Sequence, residues 1–139
     1  MSGKNQYPIA FNWQSNSPIT NFLPNNYPGG SLPSGNNSGT MASTNVIYSQ
    51  IVDLSKMDSV GLEVNWSGTP TGTFEVFVSN SGINFYPLTF SPSLIQPSGS
   101  ASGEVISLFM YAFKYILLKY TNAAGSGVLT VYGQGKDLN

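Results

Sequence analysis

Residues 59–66 (SVGLEVNW) and 73–80 (TFEVFVSN) decide the fold of this chain. Apolar side chains take every second position in both segments: Val60, Leu62, Val64 and Trp66, then Phe74, Val76 and Val78. Residues two positions apart share one face of a β-strand, whereas a helix requires a period of 3.6. The alternation therefore predicts two strands that each bury one face.

Short segments bounded by turn residues extend this pattern in both directions. Further strands are expected at residues 45–54, 85–90, 114–121 and 128–132. The connections are rich in Gly, Ser, Asn and Pro, and Gly82 is placed for a tight turn with positive φ. Strands joined in this way are typical of an all-β fold, so we predict an antiparallel β-sandwich over residues 44–139.

One segment is ambiguous, because residues 108–120 (LFMYAFKYILLKY) form an apolar run that a buried helix would also produce. Its aromatic density and the hairpin-like loop behind it favour a strand. One face of that strand, which we expect in the core, holds Ile116, Leu118 and Tyr120. The opposite face is also apolar and holds Phe113, Tyr115 and Leu117. We therefore expect burial on both sides, by the same chain or by another subunit.

Residues 1–43 show no sustained period and contain five of the nine prolines. Their aromatic residues argue against a disordered tail, because disordered segments are poor in such residues. Since proline cannot donate to a β-ladder, we predict an extended arm that docks mainly by its side chains. Residues 34–44 have the composition of a flexible joint.

The chain contains no arginine, histidine or cysteine, and charged residues make up 8% of it, against about 25% in a typical soluble domain. Those three residue types supply most near-neutral acid–base groups, soft metal ligands and strong nucleophiles. We therefore expect no catalytic residue, no cofactor and no metal site. Without cysteine, the fold has to be held by packing alone.

Two carboxylate patterns are the remaining candidates for chemistry. Glu63 and Glu75 lie on outward faces of consecutive predicted strands, where pairing in register would approach the separation that glycoside hydrolases use. Two solvated charges that keep a sheet soluble are the preferred interpretation. Asp53, Asp58 and Asp137 lie in or beside loops and offer oxygen ligands for Ca²⁺, but without the spacing of a calcium loop.

Charge and hydropathy exclude two classes of partner. The formal net charge is −1 and the five lysines are scattered, whereas nucleic-acid binders concentrate positive charge. Residues 1–10 lack a signal-peptide pattern, and no apolar run approaches the roughly 20 residues of a membrane helix. We expect a protein that is made in a cytoplasm without export, that inserts into no membrane and that binds no nucleic acid.

Three stretches carry a resemblance to known proteins: residues 73–90 (TFEVFVSNSGINFYPLTF), 113–121 (FKYILLKYT) and 128–138 (VLTVYGQGKDL). Their strand–turn–strand pattern resembles that of β-sandwich proteins in bacteriophage virions. It is also similar to discoidin-like modules that bind carbohydrate or lipid. The resemblance covers roughly residues 59–138 and implies a jelly-roll or discoidin-like sandwich, with residues 1–43 outside it as the arm. Such a pattern marks a fold more than an activity.

Resemblance and composition together favour a structural component of a bacteriophage virion, made in the host cytoplasm. A head decoration or minor capsid protein is preferred to a tail or baseplate protein. We expect it to form a homo-oligomer, a trimer being one option, and to contact other virion proteins, because surfaces of low charge desolvate at little cost. The expected interface residues are Tyr7, Phe11, Trp13, Phe22, Tyr27, Phe113, Tyr115 and Leu117.

The alternative function is a glycan-binding module that recognises a host-surface sugar. Exposed aromatic rings would then serve as stacking platforms, since they combine an apolar face with a polar edge or group. The candidate platforms are Trp13, Tyr27, Tyr86 and Tyr111.

Overall fold

A computed structural model describes residues 5–16, 38–54, 57–88, 97–109 and 113–137. These residues form strands and their connections, without a helix, and the strands build two antiparallel sheets. The prediction of an all-β antiparallel sandwich is confirmed. Within the described ranges, no helix has the length and hydropathy that a membrane span requires.

The described residues form 11 strands. In chain order they are β1 (Asn5–Ala10), β2 (Trp13–Ser15), β3 (Ser38–Met41), β4 (Val46–Ser49), β5 (Val52–Asp53), β6 (Ser59–Trp66), β7 (Thr71–Ser79), β8 (Tyr86–Pro87), β9 (Ser102–Phe109), β10 (Tyr115–Ala124) and β11 (Gly127–Asp137). The ambiguous run 108–120 is strand at both of its described ends, which lie in β9 and β10.

Sheet A has the strand order β1-β11-β6-β9, and β3 pairs with β11 beyond the end of β1. Sheet B has the order β2-β4-β10-β7-β8, and β5 pairs with β10 beyond the end of β4. Consecutive long strands therefore change sheet: β6 lies in sheet A and β7 in sheet B, and β10 and β11 are divided in the same way.

The hydrophobic core fills the space between the two sheets. On β6, the four alternating apolar side chains are at most 7% exposed: Val60, Leu62, Val64 and Trp66. Phe74 and Val76 of β7 are each 1% exposed. On β10, the side chains expected in the core are 0% exposed: Ile116, Leu118 and Tyr120. Complete burial of one such side chain stabilises a fold by about 1.5–3 kcal/mol. The buried side chains of β6, β7 and β10 are therefore the main source of the stability of the sandwich.

The described part of the predicted arm belongs to the sandwich itself. β1 pairs with β11 over six residues, and β2 pairs with β4 in the other sheet. Pro8 is tolerated because β1 is an edge strand of sheet A. The prediction that the arm docks mainly by its side chains is wrong for these residues, because backbone ladders hold them. The expected flexible joint, residues 34–44, is strand over residues 38–41, since β3 pairs with β11.

Residues 10–13 cross from sheet A to sheet B and close one flank of the sandwich. Phe11 is 0% exposed and Trp13 is 5% exposed, and both belong to the core. The backbone N–H of Asn12 donates to Oε1 of the buried Gln50 at 2.8 Å. The first residues of the chain thus supply core side chains as well as backbone pairing.

A buried polar network joins two turns at one end of the sandwich. The hydroxyl of Tyr120 donates to Oδ1 of Asn122 at 2.8 Å. In turn, Nδ2 of Asn122 donates to the carbonyl oxygens of Ser43 at 2.9 Å and Gly125 at 3.0 Å. Burial raises the pKa of Tyr120 from 10.0 to about 12, because desolvation penalises the phenolate.

Replacing Gly72 beside this network tests the packing around it. A Cβ on Gly72 would collide with the hydroxyl of Tyr120 and the carbonyl oxygen of Thr121. We expect Gly72→Ala to lower the free energy of unfolding by about 1–3 kcal/mol, as overpacking of a core does. The control is Gly61→Ala, because a Cβ there meets no atom closer than Ile106 O at 4.0 Å. Urea denaturation measures both, and equal losses in the two variants would contradict the packing described.

The pKa of Tyr120 predicts a loss of stability in alkali. A pKa raised in the folded state gives stability that is fully present below pH 10.0 and declines up to about pH 12. The free energy of unfolding of the wild type, measured by urea denaturation, should therefore fall across that interval. Tyr120→Phe should remove this part of the pH dependence, whereas Tyr86→Phe, at an exposed ring, should keep it. An unchanged slope in Tyr120→Phe would contradict the assignment.

Candidate functional site

Most of the expected interface side chains that the structure describes are already covered by their own chain. Phe11, Trp13 and Leu117 are at most 5% exposed. Phe113 packs against the core, and Tyr115 is half-buried. The expectation that they form an intermolecular contact is corrected for these three residues, because each is already buried within its own chain. Leu117 faces away from the core, so the predicted burial of both faces of β10 holds at this position.

The remaining expected interface residues cannot be placed in a site. Tyr7 lies in β1, where only its backbone pairing is described. Phe22 and Tyr27 lie outside the described residues.

Two of the four predicted stacking platforms, Trp13 and Tyr86, lie among the described residues, and they differ in exposure. Trp13 is 5% exposed and has no face available for a sugar, so its prediction as a platform is corrected. Tyr86 in β8 is 66% exposed. Tyr27 and Tyr111 lie outside the described residues.

The two carboxylates considered for hydrolysis lie on opposite sides of the molecule. Glu63 lies on the outer face of sheet A and Glu75 on the outer face of sheet B, because β6 and β7 belong to different sheets. Packed sheets are separated by roughly 10 Å before their outward side chains are counted. The expectation that Glu63 and Glu75 occupy adjacent strands is therefore wrong. The described parts of the chain contain no group of three or more His, Cys, Asp or Glu that could hold a metal ion.

On the outer face of sheet B, one lysine side chain lies over two aromatic rings. The Nζ of Lys119 lies 5.7 Å from the ring centroid of Tyr48 and 5.6 Å from that of Phe77. Lys119 is also the register partner of Glu75. Cation–π contacts of this kind contribute about 0.5–1 kcal/mol at exposed sites.

Large apolar side chains are exposed on the outer face of sheet A. Val105 is 71% exposed, Tyr132 48% and Val128 45%. Their orientation follows from strand alternation, because Leu129 and Val131 between them point into the core. Sequence reasoning did not select Tyr132, although the alternation of residues 128–132 places it on the opposite face from Leu129 and Val131.

The register of three strands builds a hollow on this face. Val105, Glu63 and Tyr132 are partners across β9, β6 and β11. In the next row, Gly61 lies beside Gln134 and has no side chain, so an open volume of about 350 Å³ remains. We call this volume the sheet A hollow; its floor is Gly61, and Glu63, Val105, Tyr132 and Gln134 surround it.

A hydrogen bond orients the carboxylate of the hollow. Asn65 lies two residues beyond Glu63 on the same face of β6, and its Nδ2 donates to Oε2 of Glu63 at 2.9 Å. Among the described residues that line the hollow, Glu63 is the one ionisable at neutral pH, and no cation is present. The hollow is therefore mildly anionic, with an aromatic side chain on one side.

The edges of the two sheets differ in their protection against pairing with another chain. β2 has three residues, β8 has two and contains Pro87, and β1 contains Pro8. Short strands, proline and lysine are the usual means of blocking an edge. β9 has eight residues and neither proline nor lysine, and among the described residues it pairs only with β6. We call its unpaired side the β9 edge.

A rigid turn connects β7 to β8 on the same flank. The hydroxyl of Ser79 accepts from the N–H of Gly82 at 3.0 Å, and that of Ser81 accepts from Ile83 and Asn84 at 3.1 Å each. Gly82 has φ of +77°, as predicted for this tight turn. Ile83 is presented to solvent with 82% of its surface exposed.

No protein-family model matches the chain, and no curated protein matches it in sequence. Among solved structures, it is similar to the SPBc2 prophage-derived protein YomS, with 12% identity, a TM-score of 0.46 and coverage of 72% of this chain and 91% of that one.

Two larger proteins contain similar parts. The enzymatically active domain of tailspike protein 4 of bacteriophage CBA120 is 10% identical with a TM-score of 0.48, over 99% of this chain and 20% of that one. A truncated AlyQ with CBM32 and alginate lyase domains is 16% identical with a TM-score of 0.47, over 100% of this chain and 35% of that one. At such identities and TM-scores, these likenesses carry no inference about what the present chain binds.

The burial of Trp13 can be tested by fluorescence. In a Trp66→Phe variant, Trp13 is the remaining tryptophan of the chain. We expect blue-shifted emission and weak quenching by acrylamide, because the ring is 5% exposed. Unfolding in urea should shift the emission to the red and increase quenching. Strong quenching in the native protein would contradict the burial of Trp13 and would make it a stacking candidate again.

Proposed function

We propose that this protein is a structural component of a bacteriophage virion that associates with copies of itself through the β9 edge. The observation that carries the proposal is the length of that edge, which has eight residues without a blocking proline or lysine. An unblocked edge is a template on which another strand can form backbone hydrogen bonds.

The side chains of β9 leave room for an incoming strand. Gly103, Glu104, Val105 and Ser107 are all exposed, while Ile106 is 7% exposed and anchors the strand in the core. Backbone pairing at this edge would supply affinity, and Val105 would add an apolar contact on the outer face.

The charge of the β9 edge is compatible with pairing to a second copy of the chain. Glu104 is the one ionisable side chain in β9. In a twofold antiparallel pairing centred on Val105, the two Val105 side chains would face each other and each Glu104 would face Ile106. Such a pairing avoids like charges opposite one another, which destabilise a sheet. The contact is isologous and gives a dimer, whereas the trimer considered from the sequence would need a head-to-tail contact.

The virion assignment rests on sequence features. Residues 73–90, 113–121 and 128–138 resemble parts of virion β-sandwich proteins. Charged residues make up 8% of the chain, so large surfaces desolvate at little cost. In this proposal the protein works by contact and without catalytic turnover, and it is made in the host cytoplasm. A head decoration or minor capsid protein remains the preferred position in the particle. Its partners are further copies and other virion proteins.

The β9 contact is tested by Val105→Lys. The substitution removes an exposed apolar side chain and places a charge on the edge, so self-association should weaken at least about tenfold, or ~1.4 kcal/mol. Ile83→Lys is the matched control, since it makes the same kind of change at a residue that is 82% exposed outside β9. Light scattering behind size exclusion, over a concentration series, measures both. A wild type that stays monomeric throughout, or equal effects of the two variants, would overturn the contact.

The virion role has a separate test. The protein should co-sediment with purified phage particles in a density gradient, and neighbouring genes should encode capsid or portal proteins. A protein that dimerises through β9 but is absent from particles would retain the contact and refute the virion role.

A further inference from the structure

We infer that the sheet A hollow binds a neutral sugar ring of a glycan. This binding site goes beyond the proposed assembly at the β9 edge and does not depend on it. It also uses none of the aromatic residues that the sequence suggested as stacking platforms.

The shape of the hollow suits a small ring. Its volume of about 350 Å³ lies at the lower end of the roughly 300–1,000 Å³ that small-molecule sites occupy. The floor is low because Gly61 has no side chain, and a Cβ there would have open space above it. The strands on either side of Gly61 are paired over their whole described length, so the hollow is preformed in a rigid sheet.

Tyr132 gives the hollow an aromatic side chain that is 48% exposed. The face of an aromatic ring carries partial negative charge and attracts polarised C–H groups, which a pyranose ring presents on its less polar side. β11 is paired on both sides at this residue, so the backbone that carries the ring is held in place. Tyr132 can therefore act as a preorganised platform, and little entropy is lost when a sugar binds.

Polar groups of β6 and β11 lie beside the ring and suit hydroxyl groups. The carboxylate of Glu63 accepts one hydrogen bond from Asn65 at 2.9 Å, and two carboxylate oxygens have capacity for about four. Sugar hydroxyls are donors as well as acceptors, so the Glu63 carboxylate that lines the hollow would accept hydrogen bonds from them. The Asn65 contact also limits the rotation of Glu63, which favours a defined orientation of the ligand.

The charge of the lining selects neutral ligands. Glu63 would repel a uronate, sulfate or phosphate group, and no cationic side chain among the described residues lines the hollow to offset it. Discrimination by an unfavourable charge is a common source of specificity. The chemistry of the lining thus favours hexoses without anionic substituents.

The test uses immobilised neutral glycans (glucans, mannans and galactans) beside anionic ones (oligogalacturonate and sulfated galactan), followed by calorimetry with soluble oligosaccharides of each neutral hit. We expect binding to at least one neutral glycan and none to the anionic ones. Tyr132→Ala should weaken the affinity at least about tenfold, as truncation of a central aromatic contact does. Gly61→Leu should abolish binding, because the new side chain rises from the floor of the hollow into the space a sugar ring would take, and its Cβ meets no atom closer than Ile106 O at 4.0 Å.

Three further variants make the result specific. Tyr86→Ala removes an exposed ring elsewhere and should leave the affinity unchanged. Glu63→Gln keeps the shape and should admit anionic glycans that the wild type rejects. Val105→Lys is measured in the same two assays, but Val105 borders both surfaces; Gly61→Leu, in β6 and away from the β9 edge, separates the two because it should lose glycan binding and keep self-association.

Several outcomes would overturn the inference. These are the absence of any neutral hit, binding to anionic glycans only, or a hit that both Gly61→Leu and Tyr132→Ala leave unchanged while circular dichroism shows native folds. A change of oligomeric state in Gly61→Leu without any glycan binding would assign the hollow to a protein contact instead. Failure of the glycan test leaves the β9 contact untouched, because that contact is read out by light scattering.

Discussion

Apolar packing between the two sheets is the interaction on which the remaining structure depends. The chain has no cysteine for a disulfide and few charges for ion pairs, so the inner faces of β6, β7, β10 and β11 have to supply the stability. Those faces are continuous because consecutive strands change sheet and each contributes one row of side chains. The few buried polar groups serve this packing; Asn122, for example, anchors the turns at Ser43 and Gly125.

The two flanks of the sandwich are closed in different ways, and this difference determines where surface remains for partners. On one flank, residues 10–13 cross between the sheets and bury Phe11 completely. On the other, the sheets end in β8 and β9, and only β8 is short and contains a proline. A chain poor in charge has little other protection against edge pairing, since lysine is the usual blocking residue.

Two surfaces on one sheet permit two separate roles in this fold. The β9 edge offers backbone groups, whereas the sheet A hollow offers an aromatic ring and a carboxylate beside Gly61. The surfaces meet at Val105, whose side chain borders both. If two copies pair at β9, their hollows lie on the same face of one continuous sheet, so a polymeric glycan would meet two sites at a high effective concentration.

Local patterns in the sequence determined the inner faces of β6, β7 and β10 and the turn at Gly82. The composition determined that few side chains suited to catalysis or metal binding are present. These features depend on period, on backbone conformation or on composition, and neighbouring residues suffice to define them. Only the tertiary structure decided that Phe11 and Trp13 belong to the core, that Glu63 and Glu75 lie far apart, and that Tyr132 lies beside Glu63. Each of these depends on which strands pair and in what register, and pairing is set by contacts between residues distant in the chain.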